Sequence, residues 1–150
     1  MVFLVPFDGT RLARAALARA AEFAERTDES VVVLSVVPDD PEYARGHGWL
    51  ASDERFDREL VVERLRDRAD DVAPAAEFRA VRPDGAEDPT STLTTDVTRT
   101  IRRTAAELDV SVLFIGSENA GQAVAPLTSV GGPLSEGSRY DLHIVREVRE

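Results

Sequence analysis

The residues best suited to chemistry lie together, between positions 111 and 130. Ser111-Val-Leu-Phe-Ile115 is an apolar run that breaks at Gly116. A small-residue loop follows, and Thr128-Ser129 come before the next candidate element. A strand that ends in a glycine-bearing loop and leads toward a helix start offers backbone N–H groups to an anion, most often a phosphate. Each of these residues also has a plainer role: Gly116 as an ordinary turn, Thr128 and Ser129 as helix caps.

The rest of the composition removes competing chemistries. The chain has no cysteine, so disulfides, thiolate metal sites and cysteine nucleophiles are excluded. Its two histidines, His47 and His143, are too far apart in sequence to form a local metal motif. His143 sits in an apolar run, as core and interface histidines do. Pro133-Leu-Ser-Glu-Gly137 lacks the first glycine of a nucleophile elbow and a strand before it, which argues against hydrolase chemistry at Ser135.

With 28 acidic against 18 basic residues the net charge is −10, and none of the bases is lysine. Such a composition resembles proteins of salt-loving archaea, in which hydrated carboxylates maintain solubility. It leaves no basic face for a nucleic-acid backbone. A receiver domain would share an acid at the end of its first strand, but it needs a lysine that this chain lacks. Asp8 and Arg11 interrupt the apolar start too early for a signal peptide, and no run approaches the roughly 20 apolar residues that span a bilayer. A cytoplasmic location with no membrane partner is the expectation.

The elements that would position the loop follow from periodicity. Val2–Phe7 and Ser30–Val37 are continuous apolar runs, the pattern of parallel strands covered on both faces. Pro6 has no amide hydrogen, so pairing is expected to weaken there. Helical stripes occur at Ala13, Ala16, Leu17, Ala20 and Ala24, then at Val61, Leu65, Ala69 and Val72 within 53–72. A third stripe is Val97, Ile101, Ala105 and Leu108, capped by Thr95 or Asp96. Residues 38–52 predict a long loop, with Trp49 either covering the crevice or, the plainer role, in surface packing. Glu77–Val81 predicts an edge strand, Val110–Ile115 a fourth strand and Leu142–Val145 a fifth.

Alternating strands and helices predict a doubly wound α/β fold: a mostly parallel five-stranded sheet with helices on both faces, Rossmann-like, in one domain over residues 1–150. Ligands of such sheets bind beyond the carboxyl ends of the strands, where strand order reverses. That rule brings Asp8, Val36–Pro38 and Gly116 to one crevice.

Three segments resemble the universal stress protein (UspA-like) family. Val5-Pro-Phe-Asp-Gly-Thr10 is similar to its opening V-P-x-D-G-S turn and Val33-Leu-Ser-Val-Val-Pro38 to its second strand. Ala105–Gly116 is similar to its third helix and fourth strand. The resemblance implies an adenine nucleotide alpha hydrolase-like fold and a regulatory or protective role in the stress response rather than an enzymatic one. It also implies a homodimer formed through the last strand, with Leu142 and Ile144 at the contact.

ATP-binding members carry G-x2-G-x9-G-[ST] after the fourth strand. Carried over, Gly116 matches the first glycine, Asn119 stands at the second, Thr128 at the third after a one-residue deletion, and Ser129 matches the hydroxyl. The implied site residues are Pro6, Asp8, Val36, Ile115, Gly116, Asn119, Thr128, Ser129 and Val130, with Asp8 and Val36 beside the ribose and adenine. Asp8 serves equally as a helix-entry residue.

Asn119 tolerates a left-handed backbone, whereas β-branched Thr128 does not. Gly121 is a shifted substitute that the sequence leaves open. Glu118 lies where phosphate oxygens would come, and two unit charges 4 Å apart repel by about 4 kcal/mol at an effective dielectric of 20. Downstream, Gly131, Gly132 and Pro133 disfavour a helix by about 1, 1 and 3 kcal/mol, and the shape of 131–138 stays open. The expectation is a degraded nucleotide site with no required cofactor. The alternative is an ATP-binding switch, or a very slow ATPase, taking ATP with Mg²⁺ in the loop Gly116–Val130; no general base for hydrolysis is evident.

Overall fold

The computed structural model describes residues 1–83, 92–120 and 140–146. In chain order these form β1 (Val2–Pro6), α1 (Arg11–Thr27), β2 (Ser30–Val36), α2 (Pro41–Gly46), α3 (Arg58–Val72), β3 (Glu77–Val81), α4 (Leu93–Glu107), β4 (Val110–Gly116) and β5 (Asp141–Val145). The five strands make one sheet in the order β3-β2-β1-β4-β5, and every pairing is parallel. Strand order reverses between β1 and β4, so the crevice opens there, as the sequence predicts.

Alternation along the strands divides the interior into two layers. Phe3, Val5, Phe7, Val31, Val33 and Phe114 pack under α1 and α3. Leu4, Val32, Leu34, Val36, Leu113 and Ile115 pack under α4 with Val97, Ile101 and Ala105. The predicted stripes supply these contacts: Ala13, Ala16, Leu17 and Ala20 of α1, and Val61, Leu65 and Ala69 of α3, are buried. His143 is a packing residue here. Its ring stacks on Phe114 at 5.0 Å and meets Phe23 edge-on at 5.4 Å. Burial, followed by the charge of Arg19, holds its pKa below the usual histidine value.

β1 ends at Pro6, and its pairing weakens there as expected, on the β4 side first. Pro6 stays in register with Leu34, and Phe7 N–H donates to Leu34 O at 2.8 Å. N–H groups alternate in direction along a strand, so the donor that Pro6 lacks would point toward β4, where β1–β4 pairing has already stopped at Leu4↔Leu113. The missing donor therefore falls in the crevice.

Three boundaries differ from the sequence reading. Residues 38–52 are not wholly loop, because Asp40 caps α2 by accepting Tyr43 N–H at 3.0 Å and Pro41 stands in its first turn. The helix predicted from Asp53 begins at Arg58, capped by Asp57; Glu54 instead closes a turn by accepting Ala51 N–H at 2.8 Å. The third predicted helix starts earlier, at Leu93, since Thr92 accepts Thr95 N–H at 3.1 Å.

Candidate functional site

The β1–α1 turn is tied at both ends. Asp8 Oδ1 accepts the Thr10 backbone N–H at 3.1 Å and its hydroxyl at 2.6 Å, while Thr10 Oγ1 caps α1 by accepting Ala13 N–H at 3.2 Å. Gly9 turns the chain with φ at +78°, a conformation a side chain disfavours. From across the switch point, Asn119 Nδ2 donates to Asp8 Oδ2 at 2.8 Å. A carboxylate has about four acceptor positions. Three are filled here, which leaves one for a ligand hydroxyl. The helix-entry role of Asp8 is thus observed, and it coexists with room for one outside donor.

Around this carboxylate lies a cleft on the α4 side of the sheet. Pro6, Leu34 and Val36 form its floor, Val97 and Ile101 its far wall, and Tyr43 and His47 its near wall. Tyr43 and His47 stack with ring centres 4.1 Å apart and planes 22° apart, and His47 Nδ1 lies 2.9 Å from Tyr43 O. Burial, and then the negative charge of Asp8, pushes the Tyr43 hydroxyl above its ordinary pKa, so it is a neutral donor. The space a water-sized sphere can enter is only about 30 Å³, room for about two waters.

The sequence reading missed Tyr43 and His47 as lining residues, and of its two roles for Trp49 the structure supports cover of the crevice. Trp49 is buried rather than surface-packed, and its indole N–H donates to Asp8 O at 2.7 Å. Arg64 in turn holds Trp49 O at 2.9 Å and grips both carboxylate oxygens of Glu54, at 2.9 and 2.6 Å. A signal for α2 was present: Asp40-Pro41 is a helix-start pair, and Tyr43 and His47 at i and i+4 share one helix face.

Of the predicted site residues, Pro6, Asp8, Val36 and Asn119 converge on the cleft. Ile115 is buried in the layer beneath α4. Gly116 is buried with φ at −70°, so positive φ is not its reason. A Cβ there would come within 2.8 Å of Leu12 Cβ, and close packing of β4 on α1 requires the glycine. Glu118 is exposed on the single 3₁₀ turn Ser117–Asn119. Thr128, Ser129 and Val130 lie outside the described residues, as do Gly121, Ser135 and the segment 131–138.

The apolar walls and the ring stack match a flat heterocycle, and Asp8 matches one sugar hydroxyl. Among the described residues lining the cleft, none carries the fixed positive charge of an arginine or lysine. Among the described residues, no group of three His, Asp or Glu is close enough to hold a metal ion. Among them, too, no helix is long and apolar enough to cross a membrane.

Residues 1–146 match the sequence profile of the universal stress protein family. Among solved structures, the chain is similar to a universal stress protein from Archaeoglobus fulgidus in complex with dAMP. The TM-score is 0.58 at 16% identity, covering 97% of this chain and 98% of that one. It is also similar to a universal stress protein in complex with cAMP, with a TM-score of 0.56 at 20% identity and coverage of 99% and 98%. A protein of the same family from Burkholderia pseudomallei gives a TM-score of 0.56 at 18% identity and coverage of 97% and 96%. At these identities the likeness is one of fold. No curated protein matches the chain significantly.

Proposed function

The chain belongs to the universal stress protein family, and on that premise we propose that it acts as a regulatory or protective stress protein whose nucleotide site is degraded. The observation that carries this reading is the Asn119–Asp8 hydrogen bond. At the position where ATP-binding relatives have a glycine, this chain has a side chain that ties β4 to the sugar-binding carboxylate and narrows the cleft. Glu118 adds negative charge on the same turn. A cytoplasmic setting at high salt accords with the acidic, lysine-free composition.

Calorimetric titration with ATP and Mg²⁺ in molar KCl tests the reading. Wild type is expected to show no saturable binding below about 1 mM, and Asn119→Gly is expected to tighten binding by about tenfold, the usual effect of freeing one charged acceptor. Sub-millimolar binding by the wild type would overturn it. That result would support the second reading, an adenine-nucleotide switch. In its favour are the convergence of Pro6, Asp8, Val36 and Asn119 at the switch point and the cAMP and dAMP complexes of structural relatives.

The protein is proposed to work as a homodimer joined along β5. Among the described residues that strand pairs with β4 alone and is an edge of the sheet, and Ile144 on it is 43% exposed. Unpaired edges with apolar side chains invite a partner strand. Ile144→Asp should sediment as a monomer at concentrations where wild type is a dimer; a variant that remains dimeric would place the interface elsewhere.

A further inference from the structure

β5 is 5 residues long, and its side chains alternate between the two layers. His143 and Val145 face the α1 side, where the His143 ring stacks on Phe114 and meets Phe23 edge-on. Leu142 packs in the layer beneath α4, and Ile144 shares that face. Directly opposed residues of antiparallel strands point to the same face. A strand that pairs with its own copy about a twofold axis therefore sets odd positions against odd and even against even. The register centred on His143 uses the whole strand, whereas centres at Leu142 or Ile144 leave part of it unpaired. It sets Leu142 against Ile144, joining the apolar side chains of the α4 face. It also brings the exposed Asp141 of each strand to the end where the other exposes Arg146, so opposite charges meet at both ends.

In that register His143 stands opposite itself. Among the described residues, the ionisable groups that face its half-buried ring are Arg19 on α1 and, two positions back on its own strand, Asp141; β4 carries none. Burial and then Arg19 prevail over Asp141 and hold the His143 pKa below the usual histidine value. A folded value below the unfolded one means that the neutral ring's contribution is complete above the ordinary histidine pKa and fades as pH falls below it. Pairing adds a second imidazole at about 4.5–5.5 Å and a second Asp141 diagonally at about 7–8 Å. The nearer like charge outweighs the farther carboxylate once both rings are protonated.

Resting on the homodimer proposed above, we propose that two copies of β5 pair antiparallel about an axis at His143, and that protonation of the two facing imidazoles dissociates the dimer. The edge strand is then a pH-sensitive contact between copies of this chain.

Sedimentation velocity of the full chain at constant ionic strength tests the switch. Wild type is expected to be dimeric at pH 8, with a dimer dissociation constant at least about tenfold higher at pH 5.5. His143→Phe keeps the ring stack and should dimerise equally at both values. The chain has no cysteine, so single cysteines report the register. His143→Cys places two Cβ atoms about 4.5–5.5 Å apart and should oxidise to a disulfide-linked dimer at pH 8. Asp141→Cys places them about 13 Å apart along the strands and should not. A wild type that is monomeric at pH 8 overturns the homodimer itself and the switch with it. Three results overturn the switch and leave the homodimer standing: a dimer equally tight at pH 5.5, a pH response that persists in His143→Phe, or a disulfide at 141 and not at 143. Should His143→Phe fail to fold by circular dichroism, the wild-type comparison and the two cysteine variants decide the matter.

Discussion

The two ends of the parallel sheet are built on opposite principles. At the carboxyl end, Asp8 accepts three hydrogen bonds on its side chain and one on its carbonyl, and Trp49, Tyr43, His47 and Asn119 close the space around it. At the amino end, α1 and α3 diverge over Ser30 and Val31, and the carboxylate of Glu29 keeps one oxygen without a donor. Parallel strands place the N-termini of α1, α3 and α4 at the first end and their C-termini at the second, so these helices favour anions at one end and cations at the other. Here the end suited to anions is filled by protein, and the end suited to cations is open. A site's electrostatic polarity therefore follows from topology, while its accessibility is set by side chains.

The largest expected effect separates the two ends by stability. Trp49→Ala removes a buried ring and the donor to Asp8 O, and should cost about 3–5 kcal/mol. Val72→Ala, half-buried in the last turn of α3, should cost less than about 1.5 kcal/mol, because partly exposed methyls were never fully removed from water. Urea unfolding followed by circular dichroism measures both. Equal costs would mean that the amino end is packed as firmly as the other.

A smaller effect concerns why the glycine after Ile115 is there. Gly116→Ala should cost about 1–3 kcal/mol, because its Cβ meets Leu12 at 2.8 Å. Gly46→Ala has open space and should be neutral or stabilising by up to about 1 kcal/mol. If the two substitutions prove equally mild, packing is not what holds position 116, and approach of a ligand becomes the better reason.

Much of this frame is legible in the sequence because it is local. Val2–Phe7 and Ser30–Val37 declare buried parallel strands by composition, and the reversal rule then locates the crevice at Asp8 and Val36. What closes the crevice is not local. Trp49 reaches Asp8 across 41 residues and Asn119 reaches it across 111, and no spacing rule anticipates either pair. Gly46 and Gly48, flanking His47, disguise α2 as loop, although Asp40-Pro41 marks its start. Gly116 illustrates a different failure. Its position is conspicuous in the sequence, but its reason is Leu12 on another element, which only the packed structure reveals.

The smallest effect tests whether the carboxyl end can be loosened without unfolding the sheet. Glu54 is held at a pKa of about 2, first by its hydrogen bonds from Arg64 and then by the Ala51 N–H. Its folded value lies below its unfolded one, so its contribution is complete above about pH 4.5 and fades as pH falls from there toward 2. Arg64 also holds Trp49 O, so protonating Glu54 frees the guanidinium that fixes the roof of the cleft. Trp49 is the sole tryptophan, and its fluorescence reports on that roof alone. Acidification should red-shift its emission before the far-ultraviolet circular dichroism of the helices changes. Glu54→Gln should already show the loosened spectrum at pH 7 and lose the early transition. Coincident fluorescence and dichroism transitions in the wild type would mean that the carboxyl end opens only with the whole molecule.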